Sequence, residues 1–151
     1  MKLNIEINNM SESPVGDDFL KSVAEETFAK SGCDFPGGMK ASVSIALVTP
    51  EEIKKINKEY RKNDCATDVL SFPEFESIQE LREASQKNAK GELFLGELIL
   101  CYDDIKDYSL SEGLELKKEL ARVISHGILH LVGFSHGKEM FEVQEEIVGG
   151  K

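Results

Sequence analysis

Hydrophobic residues recur along this chain with two different periods, and the switches between them divide it into strands and helices. Leu3, Ile5 and Ile7 alternate with polar residues, which predicts a strand over 2–8 with one buried face. Asp17 and Asp18 stand where they can cap a helix carrying Phe19, Leu20, Val23, Ala24 and Phe28, and Gly32 is placed to end it. Val43, Ile45 and Leu47 alternate again and predict a second strand. Thr49-Pro50-Glu51-Glu52 then has the form of a capping box with proline at the first helical position. A helix begins there and runs through Ile53, Ile56 and Tyr60 to about Lys62.

NDCATDVLSFP, residues 63–73, reads as a loop passing into a short strand from Val69 to Phe72 that Pro73 stops. Residues 74–91 are polar without a clear period, an excursion or a short helix. GELFLGELILC (91–101) alternates through Leu93 and Leu95, then through Leu98 and Leu100, so the strand carries a bulge at Gly96. A short helix follows from about Asp103, with Gly113 ending it. From Glu115 to Val132, residues Leu116, Leu120, Val123, Ile124, Gly127 and Leu131 recur at helical spacing. There is no internal repeat and no linker. Four strands interleaved with helices imply an α+β fold in a single domain: a small four-stranded mixed sheet with four to six helices packed on it. Periodicity leaves the strand order open.

The 151 residues are 40% hydrophobic and 30% charged, a composition that excludes a disordered chain. No apolar run reaches membrane-spanning length, and MKLNIEINNM lacks the core of a signal peptide, so no membrane association is expected. Cys33, Cys65 and Cys101 form no CxxC pair; they read as free thiols of a reducing, cytoplasmic compartment. The net charge of −10 argues against a phosphate-rich partner. One stretch departs from it: KKINKEYRK (54–62) sets Lys54, Lys55, Lys58, Arg61 and Lys62 against Glu59 alone. Such a run is either a solvated helix face or a local phosphate-binding patch, in which Lys58 and Lys62 would contact substrate.

All three histidines fall within HGILHLVGFSH, residues 126–136. At roughly 100° per residue, His126 and His130 lie about 40° apart on one helix face, on the flank of the apolar stripe beside Val123. That is how two imidazoles share one metal ion. Gly133 lets the helix stop and the chain fold back, so His136 can reach the same point. Three neutral nitrogens leave a fourth position for water, the arrangement of a catalytic zinc, one ion per chain. The plainer alternative is two satisfied core histidines and an unrelated third. The spacing also matches zinc peptidases with HExxHxxGxxH, but their general base follows the first histidine, where Gly127 stands here.

The same window resembles the YbeY family of metal-dependent endoribonucleases, which shows HGxLHLxGaxH with a aromatic. YRKNDCATDVLSFP (60–73) resembles the family's YRxxDxPTDVLSFP, LGELIL (95–100) its LGDIxI, and MFEVQEEI (140–147) its MFxxQExIL. The likeness covers about Thr49 to Val148. It implies a small α+β fold, zinc on His126, His130 and His136, and single-stranded RNA as substrate. That RNA would be chiefly ribosomal, matured at the small-subunit 3′ end, with a further part in ribosome quality control. Partners would be the ribosome or ribosomal proteins, with no DNA expected. Arg61 falls on the family's functionally important arginine, and its guanidinium fork suits a phosphodiester; with His126 it is the expected catalytic residue. Asp68 is either a turn residue or an acceptor for a ligand histidine's N–H. Ser135 stands where the family usually has Asp, so a supporting carboxylate at that place is in question, and Ala66 replaces the usual proline before TDV. Cys65 and Cys101 read as loop or buried thiols rather than further ligands. A zinc peptidase-like hydrolase, or a ribosome assembly factor with a mainly structural metal, is the alternative reading.

Overall fold

The computed structural model describes residues 3–33, 39–87, 91–134 and 137–151. Four strands and six helices are present among them: β1 (Leu3–Asn9), α1 (Asp17–Lys30), β2 (Lys40–Leu47), α2 (Pro50–Arg61), β3 (Val69–Pro73), α3 (Ile78–Lys87), β4 (Glu92–Leu100), α4 (Tyr102–Glu112), α5 (Leu116–Leu131) and α6 (Lys138–Gly149). The strand order, which periodicity left open, is β1-β2-β4-β3. β1, β2 and β4 run parallel, and β3 pairs antiparallel on the outer side of β4. The sheet is therefore mixed, as expected of the α+β class.

Local chemistry accounts for most element ends. The Thr49 hydroxyl accepts the Glu52 N–H, with Pro50 in the first turn, so α2 starts where its capping signal stands. Gly113 ends α4 at φ 66°. Asp17 and Asp18 do not cap α1. Gly16 is its N-cap, and the two carboxylates occupy the first turn, where they meet the positive end of the helix dipole. Pro73 belongs to β3 rather than following it, because an edge strand needs no ladder N–H at that position. The polar stretch after Pro73 contains α3, held by the buried Leu81 and Ser85. No described helix is long and apolar enough to cross a membrane.

The glycine in β4 sets the sheet's register. Ser42 pairs with Phe94 but Val43 pairs with Gly96, so one extra residue is accommodated there. Without the bulge, Leu98 and Leu100 would point away from Leu93 and Leu95. With it, all four are buried in the main core, alongside Val43, Ile45 and Leu47 of β2 and the apolar faces of α1 and α5. On the opposite sheet face Ile53 of α2 meets Ala46, Leu70, Ile99 and Cys101 in a smaller core. Gly96 has φ 139°, and a Cβ there would lie 2.4 Å from the Phe72 carbonyl oxygen across the β3–β4 ladder.

Gly96→Ala should therefore cost about 3 kcal/mol, backbone strain plus displacement of β3. Thr49→Ala, which loses one exposed cap, should cost about 1 kcal/mol. Denaturant unfolding of both variants checks the ranking; a Gly96→Ala protein within about 0.5 kcal/mol of wild type would contradict the packing described.

Candidate active site

From Glu119 to Leu131 every residue of α5 is buried except three: Arg122, His126 and His130, four positions apart. Tight packing produces this line. A Cβ on Gly127 would come within 2.6 Å of Leu98 in β4, so the helix lies directly on the sheet. Position 127 thus faces the core, and the base of an HExxH peptidase could not reach the cleft from it. On the other side, the Thr27 hydroxyl donates to the Val23 carbonyl at 2.7 Å and lies 3.2 Å from the Ser125 hydroxyl, joining α1 to α5.

The two histidine rings stand nearly perpendicular, with centroids 4.6 Å apart, and their Nε2 atoms face each other at 3.1 Å. His126 Nδ1 donates to Gln144 Oε1 at 3.1 Å. A carboxamide oxygen only accepts, so this bond keeps the proton on Nδ1 and leaves the His126 Nε2 lone pair directed at His130. Gln144 is 8% exposed and fixed on α6. Beside it Glu145 reaches Arg122 at 3.5 Å, and Arg122 also pairs with the buried Glu119. The line on α5 is thus held from α6 at two successive residues.

Two nitrogens bound to one tetrahedral ion, at bonds of about 2.0–2.1 Å, lie about 3.3 Å apart. The observed pair is close to that, and its nitrogen chemistry suits zinc. Ser135 and His136 lie outside the described residues. Among the described residues no group of three His, Cys, Asp or Glu gathers as a metal site. Gly133 closes the helix at φ 94°, where a Cβ would strike the Ile78 backbone at 2.6 Å, so the chain turns tightly against the start of α3.

His126 and His130 line a cleft of about 660 Å³ that Arg61, Asn57 and the β3 edge also line. Arg61 is the last residue of α2. Its Nη2 donates to the Ser71 carbonyl at 2.6 Å, and its guanidinium lies 5.5 Å from the centre of the Phe72 ring. α2 stops there because Lys62 takes the left-handed conformation, φ 61°, and the Asn63 N–H returns to the Asn57 carbonyl. The buried Asn57 side chain donates to the Cys65 carbonyl at 3.0 Å, which holds the following loop.

Other expected site residues stand elsewhere. Neither Lys58 nor Lys62 lines the cleft; Lys58 makes an exposed ion pair with Asp64 at 3.8 Å. Asp68 stands at the bend that leads into β3. Its carboxylate accepts from the Thr67 hydroxyl, its backbone carbonyl accepts the Cys101 N–H, and its charge is felt at Asp104. Burial, then the charges of Asp68 and Asp107, push the Asp104 carboxyl up from its ordinary range. Burial likewise pushes up the Cys101 thiol, which belongs to the smaller core; neither it nor Cys65 lines the cleft.

The structure adds residues that the sequence reading did not single out: Gln144, Asn57 and the cleft carboxylate Glu76. A signal for the first two exists. Gln144 follows Met140 by four on the buried stripe of α6, and Asn57 follows Ile53 by four on that of α2. A polar side chain on a core stripe needs an internal partner.

A family model described as Endoribonuclease YbeY matches residues 6–150. Two bacterial proteins named Endoribonuclease YbeY are similar over most of their length. That of Lachnoclostridium phytofermentans is 36% identical over 149 residues, 89% of this chain and 88% of the relative. That of Oceanobacillus iheyensis is 34% identical over 149 residues, 95% and 92% of the two chains. A Thermotoga maritima protein of known solution structure superposes with a TM-score of 0.63 at 30% identity, covering 95% of this chain and 86% of its own.

The Gln144 bond makes a measurable demand on His126. Long-range 1H–15N spectra of metal-free protein at mildly alkaline pH should show the Nδ1–H tautomer. Gln144→Leu should shift it toward Nε2–H. An unaltered tautomer in the variant would mean that the carboxamide does not set it.

Proposed function

Because the chain belongs to the YbeY endoribonuclease family, we propose that it is a zinc-dependent endoribonuclease cleaving single-stranded RNA in the cytoplasm. Its substrate is chiefly ribosomal RNA, in maturation of the small-subunit 3′ end and in ribosome quality control, with the ribosome or its proteins as partners. The observation that carries the reading is the pair of histidine Nε2 atoms facing each other at 3.1 Å in the same cleft as the Arg61 guanidinium.

His126, His130 and His136 are the residues that hold the ion. Bound there, zinc supplies a Lewis acid and an activated water for phosphodiester hydrolysis. Gln144 keeps His126 in the tautomer that offers Nε2. Arg61 supplies the opposite charge. Its contacts with the Ser71 carbonyl and the Phe72 ring fix the guanidinium before substrate arrives, so little reorganisation is needed to meet phosphate charge. The chain's net charge of −10 repels RNA at a distance, which leaves local contacts to hold it. The lysines of α2 lie outside the cleft lining and add attraction rather than contact with the scissile group.

Purified protein should carry about one zinc per chain, and His130→Ala should lose most of it. Equal metal in the two by elemental analysis would refute the three-histidine site. Arg61→Ala should lower kcat on a single-stranded rRNA fragment by about 100-fold, with metal content retained and RNA affinity reduced less than tenfold. Equal turnover at saturating RNA would remove Arg61 from the chemistry.

A further inference from the structure

Tyr60 precedes the cleft arginine, and the core does not explain it. The buried residues of α2 are Ile53 and Asn57, whereas Tyr60 is 62% exposed within a lysine-rich run. Other large apolar side chains are exposed too, Tyr108 and Phe141 among them, but none of those lies in a described aromatic pair. Tyr60 packs against Phe72 with ring centroids 5.6 Å apart and planes at 77°. Phe72 is itself half-buried against the smaller core, a firm support. It is also the ring against which Arg61 rests at 5.5 Å. One ring therefore carries both the guanidinium of an arginine that lines the histidine cleft and an exposed phenol.

We propose that Tyr60, supported by Phe72, is a stacking subsite for an unpaired nucleobase of the RNA whose phosphate Arg61 holds. This rests on the RNA-cleaving reading above and deepens it. An edge-on contact occupies at most one face of the Tyr60 ring, so the other is available for a flat apolar partner. Bases in single strands offer such a face, and stacking one on an aromatic side chain is worth about five- to a hundredfold in affinity, with little dependence on sequence. Because Arg61 and Tyr60 share a ring, the phosphate and the base they hold belong to the same or adjacent nucleotides. A base in a continuous duplex has neighbours on both faces and cannot enter. Tyr60 thus adds selection for unpaired RNA to a chain whose overall charge gives RNA little attraction.

The chain has no tryptophan, so Tyr60→Trp places a single indole fluorophore at the subsite. Its emission should be quenched by a single-stranded RNA oligonucleotide and not by the same oligonucleotide annealed to its complement. In fluorescence anisotropy with labelled single-stranded RNA, Tyr60→Ala should raise Kd about tenfold, while Tyr60→Phe stays within about threefold of wild type. Tyr60→Ala binding as tightly as wild type, or RNA binding to Tyr60→Trp without quenching, would overturn the subsite alone. If wild type neither binds nor cleaves RNA, the functional reading fails and the subsite with it.

Discussion

The close seating of helix α5 on the sheet is the constraint on which the rest of the molecule depends. Gly127 lets the helix approach until no side chain fits between it and Leu98. Leu98 faces the helix because the bulge at Gly96 returns the second half of β4 to the core side. Two glycines, one on each element, therefore decide how α5 is oriented. With the sheet below it and α1 and α6 alongside, only the line of Arg122, His126 and His130 remains partly open between Glu119 and Leu131. A rotation of one residue would turn both histidines into packed apolar surroundings.

That line serves the fold and the site together. Arg122 and His126 are gripped from α6 by Glu145 and Gln144, so the contacts that dock the last helix also orient an imidazole. The grip on His126 is neutral: a buried carboxamide accepts one N–H and carries no charge to compensate. The cleft's arginine is held differently. Arg61 sits at a helix end and borrows a carbonyl from an edge strand, a group left available because β3 has a neighbour on one side only. A rigid helix thus presents nitrogen lone pairs, and a helix terminus anchored to a strand edge presents the cation.

Charge follows the same division. Acidic residues outnumber basic ones 28 to 18 over the chain, yet α2 gathers lysines around the cleft arginine. The four lysines are not equivalent to that arginine. Lys55 and Lys58 are engaged with Glu52 and Asp64 at exposed distances of 3.8 Å, pairs of small energetic weight, while Arg61 is fixed by a short hydrogen bond and a ring. Proximity in sequence put five cations in one run; the left-handed turn at Lys62 and the edge of β3 selected which one lines the histidine cleft.

Much of this was legible in the amino-acid order alone. Alternation and helical spacing are consequences of backbone geometry acting over a few residues, so they revealed the four strands, most helices, the bulge at Gly96 and the shared face of His126 and His130. The cap at Thr49 was legible for the same reason. What the order did not reveal depends on partners distant along the chain. The sequence of strands in the sheet, the bond from His126 to Gln144 eighteen residues later, and the bond from the Cys101 N–H to the Asp68 carbonyl are decided by how finished elements stack. Asp68 shows the difference most clearly. Its residue type allowed either a turn or a histidine partner; it stands at the bend into β3, where its carboxylate accepts from Thr67 and its carbonyl accepts the Cys101 N–H. Local periodicity states which face of an element is buried; only tertiary packing states what lies against it.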